Sequence, residues 1–484
     1  MSHTNEPTHT TTRPIRVAPF LTLPDELIQH ILSFLSPRTL ARVSQTCRRL
    51  YTHTLDEQLW HPFVQPNTPG IKLPLFSPAP QTYREIYATL HPYWFLTRHK
   101  VWFSDRLPMG SILIARYDPR FGSIRAHNLV ASKGPATMEF WAGQSNAIIH
   151  SFHPKVQLDL NRTVIKLDKT MLPVGDGPLY SQEVWMDVHA DAGSKGLTSM
   201  LALAHTLPPA RLAPTTSVWP PWIIPASART GNQSHNHFRS TGHRPQTRSD
   251  VSQTSFRLRK FLKFTNRIVS FDLGDFGTHV DTYTTLDPKL YTPTRQKPWR
   301  GIWVGDYSGH GCEFLAVMQP EESTAGPIPT RASQVLEARR SNSVSSDGSY
   351  QSAQTILSSG ESAEIKVEQV KKDTNSSEDE VQYTGRIEAV KLTGDANVPR
   401  GEYTFIAPDI GPGGLVRVAT EGIFEGARIV RSVGHIAEHG FNDDKYIPSQ
   451  LILISKDLMA QYWEEFGHVS MYRRVEIDSF LDVE

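Results

Sequence analysis

Between Leu23 and Trp60 the apolar residues recur every three or four positions, the spacing of amphipathic α-helices, whereas the much longer remainder shows the pattern of short strands. Pro24 suits the first position of a helix, and the acidic residues that follow it complement the positive end of that helix. The first helix is therefore predicted from about Pro24 to Leu35. This pattern limits the start of the chain to a small, all-helical module.

Two further helices are predicted in this module. Ser36 is a natural N-cap with Pro37 behind it, and the apolar rhythm then continues through Leu50 on a second helix. A third, shorter helix carries Leu59 and Trp60. Fewer than about 50 residues cannot bury all of these apolar side chains among themselves. Part of the surface therefore either packs on the rest of the chain or binds a partner as helices in a groove.

The stretch LPDELIQHILSFLSPRTLARVSQTCRRL, with the Leu-Trp pair that follows it, resembles the F-box. This resemblance implies a module that docks a Skp-type adaptor, which bridges to a cullin ubiquitin ligase. Leu50 departs from the pattern, since many F-boxes have Trp after the paired arginines. The resemblance assigns the docking face to Leu23, Pro24, Ile28, Ile31, Leu35, Leu40, Val43 and Trp60.

Composition restricts the partners of the chain. Its 484 residues are enough for two or three domains, and a formal net charge of +1 gives no global field that favours nucleic acid or an anionic membrane. Cys47 and Cys312 are its two cysteines, too few for a disulfide framework or a cysteine-based zinc cage. The N-terminus lacks the apolar core of a secretory signal, and no apolar run approaches the roughly 18 residues needed to cross a membrane. We expect a soluble cytosolic or nuclear protein.

The fold class predicted is multidomain, with a small all-α F-box of three helices followed by a mainly β, antiparallel, barrel-like substrate receptor. Short strands punctuated by Gly and Pro favour a barrel, since closure removes exposed edges. The predicted organisation is a disordered tail at 1–19, the F-box at 20–64, a linker at 65–80, the β-rich receptor at 81–319 and 383–484, a polar insertion at 226–255 and a disordered insertion at 321–381.

Individual strands and one late helix are also predicted in the receptor. Leu458, Tyr462 and Phe466 would share one side of a helix from Asp457 to Phe466. The later candidate strands are Ile268 to Leu273, Gly301 to Asp306, Cys312 to Met318, Gly385 to Leu392, Glu402 to Ala407, Gln450 to Ile454 and Met471 to Ile477.

The segment PWRGIWVGDYSGHGCEFLAV, from Pro298 to Val317, carries the strongest candidate chemistry outside the helical module. It combines aromatic side chains, four glycines and several polar groups. One interpretation is a strand, a turn and a second strand whose tryptophans fill a barrel, and the other is a recognition pocket. A phosphate loop is disfavoured because no Lys-Ser or Lys-Thr follows the glycines.

Together with KLTGDANVPRGEYTF and FEGARIVRSVGHIAEHGF, this segment resembles the family of F-box only protein thirty-one and its relatives. The resemblance implies a β-barrel-like receptor that binds the extreme C-terminal tail of target proteins, including cyclin D and proteins that end in an amide, and presents them for ubiquitination and degradation. A neutral amide needs both donors and acceptors with no dominant cation, whereas a carboxylate would want Arg300, Arg428 or Arg431. The candidate substrate-binding residues are Trp303, Asp306, Tyr307, His310, Glu313 and His435.

No catalytic residue, metal or cofactor is predicted, and the chain is expected to act without enzymatic activity of its own. His435, Glu438 and His439 spell the H-x-x-E-H zinc pattern, but the flanking glycines and the alternating residues indicate a strand and not the helix that the pattern needs. Two alternatives remain open. One is a lipocalin-like barrel that binds a small ligand beside Trp303, and the other is a scaffold that binds the adaptor without recruiting a cullin.

Overall fold

A computed structural model describes residues 19–173, 183–186, 188, 197–232, 250–264, 267–269, 280–321, 323, 325–339 and 383–483. The predicted N-terminal tail, except residue 19, and most of the two predicted insertions lie outside the described residues. Within the described part, helices at the start of the chain lead into an antiparallel sheet and then into a closed barrel. The predicted fold class is therefore confirmed, while the predicted domain boundaries stay predictions.

The helical module follows the local signals of the sequence closely. The hydroxyl of Ser36 accepts a hydrogen bond from the backbone of Thr39 at 3.3 Å, as expected of an N-cap. The helices of the described part are α1 Asp25–Ser33, α2 Pro37–Val43, α3 Arg48–Thr54, α4 Glu57–Val64, α5 Tyr83–Leu90, α6 Phe95–His99, α7 Pro288–Tyr291 and α8 at 330–339.

The second predicted helix is wrong in one respect, because it is divided into α2 and α3. The hydroxyls of Ser44 and Thr46 each donate to a backbone carbonyl three residues earlier at 2.7 Å. Such local bonds compete with helical hydrogen bonds and favour a turn. The chain is then extended at Cys47 before α3 begins.

Two helices that were not predicted join this module to the strands. The helix α5 begins with a capping box, in which Thr82 and Glu85 bond to each other's backbone. Leu73, in the predicted linker, is buried, as are Tyr83 of α5 and Phe95 of α6. The segment between the helical module and the first strand thus contributes buried side chains to the core, while Leu75 and Phe76 within it are exposed.

The strands of the described part up to residue 285 are β1 Val101–Ser104, β2 Ile112–Asp118, β3 Ser123–Ser132, β4 Met138–Trp141, β5 Gln144–His150, β6 Lys155–Leu167, β7 Leu172–Pro173, β8 Glu183–Met186, β9 Leu197–His205, β10 Val218–Trp219, β11 Thr230–Gly231, β12 Val251–Phe264, β13 Arg267–Val269 and β14 Val280–Thr285. The first sheet is antiparallel, with the strand order β6-β3-β2-β1-β14-β12-β9-β8-β7 and with β13 beside β12. The helix α6 packs into its core, where Phe95 contacts Trp102 and Phe256.

The second sheet closes on itself as an eight-stranded antiparallel barrel, because its first strand also pairs with its last, at Trp303 and Arg474. The hairpin of β4 and β5 extends this sheet through a parallel pairing with the last strand. The barrel strands are β15 Gly301–Asp306, β16 Cys312–Met318, β17 Ile387–Lys391, β18 Tyr403–Ala407, β20 Arg428–Glu438, β21 Asn442–Ser455, β22 Leu458–Trp463 and β23 His468–Arg474, with β19 Leu415–Val418 beside β20.

The predicted helix from Asp457 to Phe466 is wrong, because this segment contains the strand β22. Met459 packs inside the barrel. Ala460 and Tyr462 lie on its outer face, in the apolar cluster that also contains residues of the first sheet. A strand that is buried on both faces has apolar residues at almost every position. It therefore also satisfies the helical spacing that suggested the wrong structure.

Part of the insertion predicted to be disordered is ordered. Residues 330–339 form the helix α8, and Ala332 on this helix is fully buried against the outer wall of the barrel. Residues 340–381 of the same prediction lie outside the described residues.

Candidate functional site at the barrel mouth

The interior of the barrel is apolar at one end and polar at the other. Trp303, Leu315 and Leu451 fill the apolar end and are completely buried. Further along the same strands the inward side chains become polar, and these also are buried. The inward polar side chains are Glu313, Lys391, Ser432, Ser449, Gln461 and Ser470.

Lys391 lies at the centre of the polar end. Its Nζ is 2.8 Å from a carboxylate oxygen of Glu313 and 2.8 Å from one of Asp395, and it lies 4.4 Å from the ring centre of Tyr307. The Lys391 side chain is only 2% exposed. A buried ammonium is costly unless it is paired and hydrogen-bonded, and these two carboxyl groups supply that pairing.

The two carboxyl groups of this cluster differ in protonation. Burial raises the pKa of Glu313 to about 9, although the positive charge of Lys391 opposes this rise. Burial also acts to raise the pKa of Asp395, but the hydrogen bond with Glu313 and the charge of Lys391 outweigh it and hold this pKa below its usual value. At neutral pH, one ammonium therefore faces one carboxylate and one carboxylic acid, and the cluster carries no net charge.

Hydroxyl and amide groups extend the polar end around the barrel. Gln461 donates to Ser449 at 3.0 Å, and the Ser449 and Ser432 hydroxyls are 2.8 Å apart. The indole N–H of Trp463 donates to Ser470 at 3.0 Å. These bonds pair the buried hydroxyls of Ser432, Ser449 and Ser470 and fix the orientation of the Trp463 ring.

A cavity of about 740 Å³ opens above these groups. Its walls come from the ends of β15, β17, β20 and β22 and from the starts of β21 and β23, which all meet at one mouth of the antiparallel barrel. The lining residues are Tyr307, Ser308, His310, Lys391, Asp395, Asn397, Val398, His435, Ile436, Ala437, Glu438, Asp443, Lys445, Trp463, Phe466, His468 and Ser470.

Three of the six predicted substrate-binding residues line this cavity, namely Tyr307, His310 and His435. His435 is held on both ring nitrogens, with Nδ1 3.0 Å from the carbonyl oxygen of Tyr403 and Nε2 3.2 Å from a carboxylate oxygen of Asp444. Its ring also stacks on that of Tyr446, with centres 4.4 Å apart.

The other three predicted residues lie outside the cavity lining. Trp303 is completely buried in the apolar end, where its indole N–H donates to the carbonyl of Trp299 at 3.2 Å. Asp306 is buried and pairs with Lys133 at 2.6 Å, and Glu313 lies behind Lys391. Their side chains support the barrel and do not line the cavity that the structure shows.

Fourteen of the lining residues were not predicted to bind substrate, among them Lys391, Asp395, Trp463 and Phe466. The first two belong to the block KLTGDANVPRGEYTF, which had been noted for its resemblance without a role for individual residues. Trp463 and Phe466 were assigned to the mistaken helix. The glycine at 434 is linked to Trp463, since a Cβ there would lie 2.2 Å from the Trp463 ring.

The residues predicted to dock an adaptor differ widely in exposure. Pro24 and Ile31 are exposed, Leu23, Leu35 and Val43 are partly buried, and Ile28, Leu40 and Trp60 are buried in the core of the module. Their assignment to the docking face stays a prediction. Further large apolar side chains of the same module are exposed and were not predicted, namely Leu27, Phe34, Tyr51 and Leu55.

In the described part of the chain, no group of three or more His, Cys, Asp or Glu side chains is placed to hold an ion. His435, Glu438 and His439 lie on or just after the strand β20, as the sequence indicated. Of the helices that the structure describes, none is both long and apolar enough to span a bilayer.

Comparison with known proteins assigns families to two parts of the chain. Residues 20–66 match the F-box-like family and residues 283–479 match the cyclin D1 binding domain family, a range that includes the whole barrel. The two matches together fit an F-box substrate receptor.

Two plant proteins also show local similarity. EXECUTER 2 of Arabidopsis thaliana, a chloroplastic protein, is 35% identical over 190 residues, which are 38% of this chain and 22% of that protein. The protein of the same name from Oryza sativa subsp. japonica is 37% identical over 84 residues, 16% of this chain and 13% of that protein. The chain thus spans less than a quarter of either relative.

Proposed function

We propose that this chain is the substrate-recognition subunit of a Skp, cullin and F-box ubiquitin ligase, and that it holds substrate proteins by their C-terminal tails in the barrel cavity. The observation that carries the proposal is the cavity at the barrel mouth, inside the range that matches the cyclin D1 binding domain, in a chain that also contains an F-box-like module.

The exposed apolar side chains of the module support adaptor binding. Ile31 is 41% exposed and Phe34 is 77% exposed, although both are large apolar residues. Large exposed apolar side chains along one helix are typical of a helix-groove interface. We assign this surface to a Skp-family adaptor and, through it, to a cullin, and we place the complex in the cytosol or the nucleus.

The shape of the cavity supports binding of a chain end. It opens at the mouth of the barrel, and its floor is closed by buried polar side chains around Lys391. Its volume of about 740 Å³ lies within the usual range of ligand pockets and is far too small for a folded domain. The end of an extended chain could enter it, whereas an internal segment would have to enter and leave through the same mouth.

The charge of the floor favours an uncharged chain end. The ammonium of Lys391 is already compensated by Asp395, and the other lining lysine, Lys445, pairs with Glu465 at 3.7 Å. No arginine lines the cavity. Carboxylate and hydroxyl oxygens at Asp395 and Ser470 offer acceptors to a terminal amide, whose two N–H donors a free acid lacks. We therefore expect tails that end in an amide to bind more tightly than the same tails ending in a carboxylate.

The chain would contribute proximity and no bond-breaking step of its own. Holding a substrate near the charged conjugating enzyme raises the effective concentration of its lysines. Degradation of the bound protein is the expected result.

Co-purification tests the adaptor half of the proposal. We expect the parent chain to recover both a Skp adaptor and a cullin, and the double variant Ile31→Asp with Phe34→Asp to recover neither. Phe121→Asp is the matched control, since Phe121 is 49% exposed but lies outside the F-box-like module. Recovery of the adaptor without a cullin would support the scaffold alternative.

A peptide array tests the cavity half. The peptides vary their last residues and end in either an amide or an acid, and binding is measured to the parent and to Trp463→Ala, Tyr307→Phe and Asp395→Asn. We expect amide peptides to bind the parent and to lose affinity in all three variants. Apolar lining by Val398, Ile436 and Phe466 favours a small hydrophobic ligand as the second candidate, and tight binding of such a ligand without any peptide binding would select it.

A further inference from the structure

The helix α8 packs on the outside of the barrel through apolar side chains along its length. Ala332 is completely buried there, and Ile328, Val335 and Leu336 pack against the same apolar cluster. The same cluster contains Tyr462 and Ile452 on the outer face of the barrel. Apolar packing alone, however, does not connect the helix to the cavity lining.

The first turn of α8 makes that connection through Asp444. The guanidinium of Arg331 donates to both the backbone and a carboxylate oxygen of Asp444 at 3.0 Å, and the other carboxylate oxygen lies 3.2 Å from Nε2 of His435. Asp444 also lies between two lining residues in sequence, Asp443 and Lys445. Arg331 therefore acts through one carboxylate on the histidine wall of the cavity.

The last turn of α8 makes a second connection, to residues beside Trp463 of the cavity lining. Arg339 donates to the backbone carbonyl of Ser449 at 3.0 Å and forms an ion pair with Glu464, which also accepts from Gln450 at 3.0 Å. Glu464 follows Trp463 directly, and Trp463 is the largest aromatic side chain of the cavity wall. One end of the helix thus bonds the carboxylate that also bonds His435, and the other end pairs with the residue that follows Trp463.

We propose that α8 is a positioning element for the cavity. It raises the affinity for substrate tails by fixing the positions of His435 and Trp463 relative to each other. This inference rests on the proposed function, because it concerns the same cavity. Arg331 and Arg339 are positioning residues in this arrangement, since neither lines the cavity. Tail binding and docking of α8 are then coupled, and each must strengthen the other by the same factor.

The first measurement is the affinity of an amide-ended tail peptide for the full chain. We expect Arg331→Ala to weaken binding about fivefold, the upper end for loss of an exposed ion pair. Asp444→Asn should weaken it about tenfold, because both Arg331 and His435 then lose a charged hydrogen-bond partner. Lys297→Ala is the control, since Lys297 pairs with Glu321 beside the opposite end of β15 and should leave the affinity unchanged.

The second measurement uses the reciprocity of the coupling. Saturation of the parent with the peptide should slow hydrogen exchange of the amides in 330–339, and this protection should shrink in Asp444→Asn. A role confined to stability would not make exchange in α8 depend on the peptide.

The outcomes separate the two proposals. If no tail peptide binds the parent, the proposed function fails and so does the inference that rests on it. If peptides bind the parent, but Arg331→Ala and Asp444→Asn bind them equally well and α8 gains no protection, the proposed function stands and the role of α8 is refuted.

Discussion

The protonation of a single buried carboxyl controls the charge of the cavity floor. Glu313 is 2% exposed and faces an ammonium that Asp395 already neutralises. Loss of its proton would leave a second negative charge in a site with one cation. Burial, together with the negative charge of Asp395, raises the pKa of Glu313 to about 9, far above the value of an exposed glutamate.

This protonation gives stability a definite dependence on pH. Between the ordinary glutamate pKa and about 9, the folded chain keeps a proton on Glu313 that the unfolded chain releases, so the free energy of unfolding falls as pH rises. Glu313→Gln removes this dependence, because a neutral amide replaces the neutral acid. We expect the variant to lose less stability than the parent between pH 5 and about 9, as measured by urea unfolding. Parallel curves for both chains would contradict the assignment.

The glycine at 434 permits the position of an aromatic ring in the cavity wall. A Cβ at this position would lie 2.2 Å from the Trp463 ring, closer than any such contact allows. Gly434→Ala must displace the indole and should lower the free energy of unfolding by about 1 to 3 kcal/mol, the usual cost of overpacking. Tail affinity should fall with it, since Trp463 lines the cavity.

Two variants control for this effect. Gly326→Ala adds the same methyl group where nothing lies within 4 Å, and it should leave both stability and binding almost unchanged. Combining Gly434→Ala with Trp463→Leu relieves the contact, so their unfolding energies should be less than additive. Simple additivity would show that the ring and the methyl group do not meet.

Residue types identified the right strand for the site but not the depth of each side chain in the barrel. Tyr307, His310 and Trp303 come from one short segment, yet the first two line the cavity and Trp303 fills the apolar end. Alternation along a strand predicts which side chains point inward. The depth of a side chain in the barrel depends on strand tilt and barrel closure. Both are set by pairing between strands that are distant in sequence, so a local sequence pattern does not predict them.

Among the elements, those with strong local signals were predicted best. Ser36 and Pro37 marked the start of α2, and the strands β15 and β16 have the predicted bounds. The strand β22 was mistaken for a helix because it is buried on both faces. The helix α8 was not predicted because Ala332 and its apolar neighbours lie within a largely polar segment. Such a short helix is stabilised mainly by tertiary packing, here against the barrel, and not by its local sequence.

The helix α5 depends on a local signal that can be tested directly. Thr82 accepts from the backbone of Glu85 at 3.3 Å, and Glu85 accepts from the backbone of Thr82 at 2.8 Å. Thr82→Ala removes half of this capping box and should cost about 1 kcal/mol, which thermal unfolding would detect. Ser33→Ala changes an exposed hydroxyl at the end of α1, away from any N-cap, and should cost less than about 0.5 kcal/mol. Equal losses would show that the cap contributes nothing specific.

At the scale of the molecule, the helices of the F-box-like module and the first sheet share one hydrophobic core. Ile28 of α1 and Trp60 of α4 belong to the same buried cluster as Leu96 of α6 and Leu113 of β2. The far end of the chain is fastened to this assembly as well, since Arg116 donates to the carbonyl of Phe480 at 3.1 Å and Leu481 is buried. A second cluster, which contains Val101 of β1 and Ile302 of β15, joins the first sheet to the barrel, so the helical module and the barrel are connected through packed cores. If the proposed function holds, this connection would set the distance over which substrate lysines are presented.

This shared core predicts cooperative unfolding of elements that the sequence analysis placed in separate domains. Leu96 is completely buried between them, and Leu96→Ala should cost about 2 to 5 kcal/mol through the lost contacts and the cavity left behind. Hydrogen exchange should then accelerate by a similar factor in α4 and in β2, because both report opening of one unit. Leu451→Ala, in the separate core of the barrel, should leave exchange in α4 almost unchanged. If Leu96→Ala accelerated exchange in β2 alone, the F-box-like module would be an independent unit, and the distance from adaptor to substrate would have to be set by the adaptor complex instead.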